Sequence, residues 1–198
     1  MNSAMTMPRS GVSSRRTPLV PSAVFGTLVF VGTELMFFMG LISAYMVIKA
    51  GAGNWVPPES VRLPVAATAF NTAMLLLSGV SLFVAGRQAK KEGMSSPKVM
   101  RSYLIALLLG GFFVAYQGYE WVQLVRFGMT MTSGIFGACF FLLIGAHGIH
   151  ALGALIAMAW FFGKMKQGTL SIETLMGMQV FWFFVVGIWP ILYGLVYF

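Results

Sequence analysis

Four side chains interrupt otherwise apolar stretches of this 198-residue chain: Glu34, Glu120, His147 and His150. Glu34 stands in Phe30-Val31-Gly32-Thr33-Glu34-Leu35-Met36-Phe37-Phe38, and Glu120 in Tyr116-Gln117-Gly118-Tyr119-Glu120-Trp121. His147 and His150 are three residues apart, a spacing that puts both on one face of a helix. Carboxylates and imidazoles in such surroundings can bind a metal or haem, pass protons, or satisfy one another and fix packing. A bis-histidine haem needs a ligand on each side of the porphyrin, which two histidines on one helical face do not supply. Two His and two Glu could hold a metal, but the sequence offers no acidic or histidine-rich second set to orient them. Mutual satisfaction of Glu34 with His147 and His150 is therefore the primary reading, and a proton relay the second; Glu120 is a further buried ionisable group, structural or proton-linked. Asn71, with Thr72 and Ser78, and Gln117 are interhelical hydrogen-bonding residues on this reading. No nucleophile–base–acid set, glycine-rich phosphate loop or multi-cysteine metal signature is present, so no catalytic or metal site is assigned to the chain.

The elements that must position these groups follow from composition. Hydrophobic residues make up 58% of the chain and charged residues 9%, with a mean hydropathy of +0.83. A water-facing surface needs roughly 25% charged residues, so lipid is the solvent for most of this protein. Long apolar runs cover about residues 24–48, 65–86, 103–125, 134–163 and 174–198. Each reaches the ~20 residues needed to cross a hydrocarbon core. None alternates with the period of a barrel strand, and bilayers admit only helices or closed barrels. The expected fold is all-α: a polytopic bundle of about five transmembrane helices, as one domain over residues 23–198 behind a mobile basic tail, 1–22.

The net charge of +8 sets topology and excludes a nucleic-acid partner by its placement. With the amino terminus in the cytoplasm, Arg9, Arg15, Arg16, Arg87, Lys90, Lys91, Lys98, Arg101, Lys164 and Lys166 fall inside. Only Lys49, Arg62 and Arg126 fall outside. That split obeys the positive-inside rule and puts the carboxyl terminus in the periplasm. Ser14-Arg15-Arg16 reads as a basic flank, because the apolar stretch beyond it is too long for a signal peptide. Cys139, the single cysteine, is a packing residue. Ser95-Ser96-Pro97 marks a helix start. Gly134-xxx-Ala138 and Gly153-xxx-Ala157 are read as points of close helix approach, and Trp55, Trp121, Tyr119, Tyr193 and Tyr197 as interfacial aromatics.

Taken in order, these breaks resemble a known family. Residues 30–45, with Glu34, Met36-Phe37-Phe38, Gly40-Leu41 and Ala44-Tyr45, resemble the glutamate-bearing helix of haem–copper oxidase subunit III. Asn71-Thr72 with Leu75-Leu76-Leu77-Ser78 resembles the next helix. Gln117 with Tyr119-Glu120-Trp121 and Gly128 resembles the one after, and Phe140-Phe141, Gly145, His147-Gly148-Ile149-His150 and Gly153 its most recognisable motif. The likeness covers residues 24–198 and fits the shorter bacterial, five-helix type of the cytochrome c or quinol oxidases. It implies a non-redox subunit of the bacterial inner membrane that packs on catalytic subunit I, with subunit II also a partner. It further implies bound phospholipid, support of proton uptake and turnover stability, and haem and copper held only by the partner subunits. One departure stands out: the family's Trp-His-Phe-Val-Asp run is here Trp182-Phe183-Phe184-Val185-Val186. An accessory protein of bacterial nitric oxide reductase, from the same superfamily, is the alternative. A small proton-coupled transporter or channel is a third reading, disfavoured by the absence of repeats.

Overall fold

The computed structural model describes residues 22–53, 55 and 64–198. The expected tail as far as residue 21, with Arg9, Arg15 and Arg16, lies outside the described residues, as do Arg62 and the stretch 56–58 of the first outer loop. Ser22, the last residue of that expected tail, begins a helix.

Five helices follow one another: α1 (Ser22–Gly51), α2 (Val65–Glu92), α3 (Pro97–Arg126), α4 (Ile135–Lys166) and α5 (Ile172–Tyr197). All five are long and apolar enough to cross a membrane, and no strand occurs among the described residues. At ~1.5 Å rise per residue, their 26–32 residues exceed a ~30 Å hydrocarbon core, so the ends project into the interfacial zones. The connection between the second and third spans is consequently much shorter than the gap between their apolar runs. Arg87, Gln88, Ala89, Lys90, Lys91 and Glu92 are good helix formers that continue α2 into water. The chain turns only at Gly93, whose φ of +85° suits glycine. Ser96 caps α3 by accepting from the Lys98 amide at 3.3 Å, with Pro97 in the first turn. Glu92 closes the turn by accepting from Ser96 Oγ and Lys98 Nζ.

Helices consecutive in the chain alternate in direction. Contacts Thr68–Glu120 and Ser81–Ser102 run α2 antiparallel to α3, whereas Phe30–Phe181 and Tyr45–Leu195 run α1 parallel to α5. The central helix is α5, which meets α1, α2 and α4. Helix α1 is outermost: 6% of its apolar window is buried, against 44% for α2 and for α5. It touches α5 and α4 but not α2, its sequence neighbour.

What joins α5 to α2 is a ladder of four donors. Gln179 Nε2 donates to Leu82 O at 2.6 Å, Trp182 Nε1 to Ser78 Oγ at 3.0 Å, Trp189 Nε1 to Thr72 Oγ1 at 2.8 Å, and Tyr193 Oη to Val65 O at 2.9 Å. Spacings of three, seven and four residues keep all four donors on one helix face. Bonds of this kind in lipid contribute ~0.6 kcal/mol each on average, so their larger effect is to fix the register of α5 on α2.

The close-approach glycines are not those read from the sequence. Gly134 lies before α4 with φ +130°, where it caps the helix, and Gly153 has no neighbouring atom where a Cβ would stand. Close approach falls instead at Gly110, where a Cβ would come within 2.7 Å of the Trp182 ring, at Gly86 beneath Gln179, and at Gly79 beneath Val186. A small-xxx-small pattern marks helices able to approach; the partner side chain decides which glycines are needed.

Candidate functional site

Glu34 belongs to the inward stripe of α1 with Phe38 and Tyr45, spaced four and seven residues apart. That stripe brings its carboxylate to α4. Glu34 Oε2 lies 2.8 Å from His150 Nε2, with both side chains 18% exposed. The other ring nitrogen, His150 Nδ1, lies 2.7 Å from the Ala146 carbonyl one turn back. A carbonyl can only accept, so Nδ1 carries a hydrogen. The Nε2–Oε2 contact then requires one further proton, on the imidazole or on the carboxyl. Either way the pair is neutral overall and holds a single shared proton, which removes the cost of an isolated charge at this depth. Phe37 and Phe38 wall the imidazole, with ring centroids 6.1 and 5.2 Å away.

His147 does not join the pair. It is 1% exposed, sits among the rings of Phe38, Phe113 and Trp189, and neither of its nitrogens has a hydrogen-bond partner. It instead lines a cavity of about 230 Å³ between α3 and α4, with Gln117, Trp121 and Trp189. Trp121, expected at the interface, lays its ring over Gly145 and Gly148.

Glu120 and the two amides gather elsewhere, on the α2–α3 seam. Glu120 Oε2 is 3.0 Å from Thr68 Oγ1, and Asn71 Nδ2 donates to Phe113 O at 3.2 Å and more weakly to Gln117 Oε1 at 3.4 Å. Tyr197, expected in the interfacial belt, is 7% exposed, with its hydroxyl among Thr68, Gln117 and Glu120. Thus α5 supplies Trp182, Trp189 and Tyr197 to the polar interior. Only the heptad-like spacing of these aromatics, facing Thr72 and Ser78 on α2, could have signalled it.

The residues present do not fit a haem. Both nitrogens of His150 are engaged, and His147 is enclosed by aromatic rings. Among the described residues no group of three or more His, Cys, Asp or Glu side chains is placed to hold a metal ion.

The chain has known relatives. The model of the family described as cytochrome c oxidase subunit III matches residues 9–198. The chain belongs to the cytochrome c oxidase subunit III family. A probable cytochrome c oxidase subunit 3 of Nocardia farcinica is 35% identical, the alignment covering 100% of this chain and 99% of the relative. One from Mycobacterium leprae is 34% identical over 87% of this chain and 86% of its own length. The cytochrome c oxidase subunit 3 of Thermostichus vulcanus is 28% identical over 88% and 86% respectively. As a subunit III, the chain is a multi-pass membrane component of an oxidase complex. The departure in its last helix is accommodated locally: Val186, where the resemblance has an acid, packs on Gly79, and Phe183, where it has a histidine, is exposed beside Phe83. The flanking tryptophans carry two of the four polar contacts to α2.

Proposed function

We propose that this subunit III is the accessory, non-redox subunit of a bacterial haem–copper terminal oxidase in the cytoplasmic membrane. It packs on catalytic subunit I, with subunit II in the same complex, holds phospholipid between its helices, and supports proton uptake and turnover stability while oxygen is reduced elsewhere. The observation that supports this reading is the Glu34–His150 pair, a one-proton unit between the outermost helix, α1, and α4, with no metal-binding set among the described residues. Haem and copper belong to the partners. The names of the relatives favour an oxidase over the nitric oxide reductase alternative. The test is purification of the chain from its native membrane in mild detergent. It should bring down a haem- and copper-bearing polypeptide in equal amount and support cytochrome c oxidation. Stoichiometric haem in this chain after separation from its partners, or co-purification with a nitric-oxide-reducing subunit, would refute the assignment.

Topology follows the charge distribution. Arg87, Lys90, Lys91, Lys98, Arg101, Lys164 and Lys166 cluster where α2 ends, α3 begins and α4 ends, which we assign to the cytoplasm. A reporter active only in the periplasm should be active when fused after Phe198 and silent near Lys90. The reverse pattern would overturn the orientation.

A further inference from the structure

Glu120 lies on a seam that the Glu34–His150 pair does not use. It is 5% exposed and forms part of the wall of a pocket of about 170 Å³ lined also by Pro64, Tyr116, Tyr119, Gln123 and Phe127. Since α2 begins and α3 ends there, the pocket stands at an end of the bundle, within reach of interfacial water.

Burial without a basic partner places a proton on the Glu120 carboxyl, because an unpaired carboxylate in such a setting is costly. The Thr68 hydroxyl is 3.0 Å from Pro64 O and 3.0 Å from Glu120 Oε2. It has one hydrogen, and a carbonyl oxygen can only accept. Pro64 O already accepts from the Thr68 amide at 2.9 Å, so the hydroxyl hydrogen is available to Glu120 Oε2, and the carboxyl proton falls to Oε1, the oxygen without a protein partner. Around this contact, Glu120 Oε1, Tyr197 Oη, Gln117 Nε2 and Asn71 Oδ1 are all buried without a protein partner. Asn71 Oδ1 accepts, Gln117 Nε2 donates, and Tyr197 Oη and a protonated Glu120 Oε1 can do both. Water, which donates two hydrogen bonds and accepts two, is the small molecule that complements such a set.

We propose that Glu120 is a proton-exchange site at this end of the bundle: a protonated carboxyl in the wall of the pocket, linked by internal water to Tyr197, Gln117 and Asn71. The step is a proton transfer alone. The carboxyl O–H bond breaks as a pocket water accepts the proton, and the reverse step restores it. The titratable groups facing the site are the phenols of Tyr116 and Tyr119 on α3 and of Tyr193 and Tyr197 on α5. Among the described residues no basic side chain pairs with Glu120. Arg126, further along α3, lines a different groove with Trp121 and Val125.

Infrared spectroscopy of the assembled oxidase complex in lipid nanodiscs tests this directly. A protonated-carboxyl C=O band should be present at neutral pH, shift within minutes of exchange into D₂O, and disappear in Glu120→Gln. Thr68→Val keeps the acid but removes its hydroxyl partner, and should move the band without abolishing it. That second variant secures the assignment even if Glu120→Gln assembles poorly. Loss of no carboxylic-acid band in Glu120→Gln, together with no shift in Thr68→Val, would show an ionised Glu120 and overturn the proposal. A band that persists unshifted after hours in D₂O would show that no water reaches the acid, and would overturn it equally.

Discussion

Exchange of Glu34 for alanine is expected to loosen α1 from the bundle, while exchange for glutamine should leave it in place. Alanine strands His150 Nε2 in a setting with no water to replace the carboxylate, at a cost of about 1–2 kcal/mol. Helix α1 is otherwise held by packing along α5, by the Tyr45 hydroxyl bonded to Leu195 O at 3.2 Å and by the fully buried Phe38 ring. A loss of that size changes the docked-to-undocked ratio of α1 roughly 5- to 30-fold. The glutamine amide can still hydrogen-bond the imidazole in its Nδ1–H form, so most of the stability should remain. Titration of the purified complex with sodium dodecyl sulfate, followed by tryptophan fluorescence, gives the order: parent, then Glu34→Gln close behind, then Glu34→Ala. Equal midpoints for all three would deny the pair any part in holding α1. On the proposed function, either change shortens the working life of the enzyme during turnover more than it lowers the initial rate. Abolished initial turnover in a fully assembled Glu34→Gln complex would instead identify the shared proton as an obligatory relay.

A second large effect is expected at Gly110. A Cβ there would sit 2.7 Å from Trp182 Cζ2 and 3.3 Å from Leu155 Cδ1. Trp182 is 0% exposed and bonded to Ser78, so its ring has nowhere to move without leaving that partner. Gly110→Val combines overpacking of ~1–3 kcal/mol with loss of an interhelical hydrogen bond of up to ~1.7 kcal/mol. The variant should accumulate poorly in the membrane. Adding Trp182→Phe, which removes the ring atoms that clash, should recover part of the loss. A double-mutant cycle with zero coupling would show that the contact is not the cause.

How much of this was legible in the sequence depends on what each residue type can tolerate. The five spans were, because nothing but a helix crosses lipid with ~20 apolar residues in a row. The inward direction of Glu34 and its meeting with α4 were also legible, since a carboxylate with apolar neighbours on both sides has one acceptable side to face. The division of labour between the histidines was not. Residues three apart on a helix differ in direction by roughly 60°, enough for His150 to face α1 while His147 enters the α3–α5 interior. Nor was the polar role of α5 legible. Lipid is as apolar as a packed interior, so hydropathy cannot separate the buried Trp182 and Trp189 from the exposed Phe183 and Ile191 on the same helix. The glycines failed for a related reason, because their use depends on which large ring arrives from a helix elsewhere in the sequence.

The placement of α1 has a consequence for biosynthesis. Its hydrogen-bonding partners lie 116 and 150 residues further along the chain, at His150 and Leu195, and it does not touch the α2 helix that follows it. At a ribosomal elongation rate of ~5–20 residues per second, α1 waits roughly 6–20 s in the bilayer before even His150 has been made. Throughout that interval the nascent helix carries a carboxyl group with no partner from its own chain. Helix α1 thus leaves the translocon before α2 yet docks only once α4 and α5 arrive, and the membrane insertion machinery must tolerate it until then as a free, acid-bearing span.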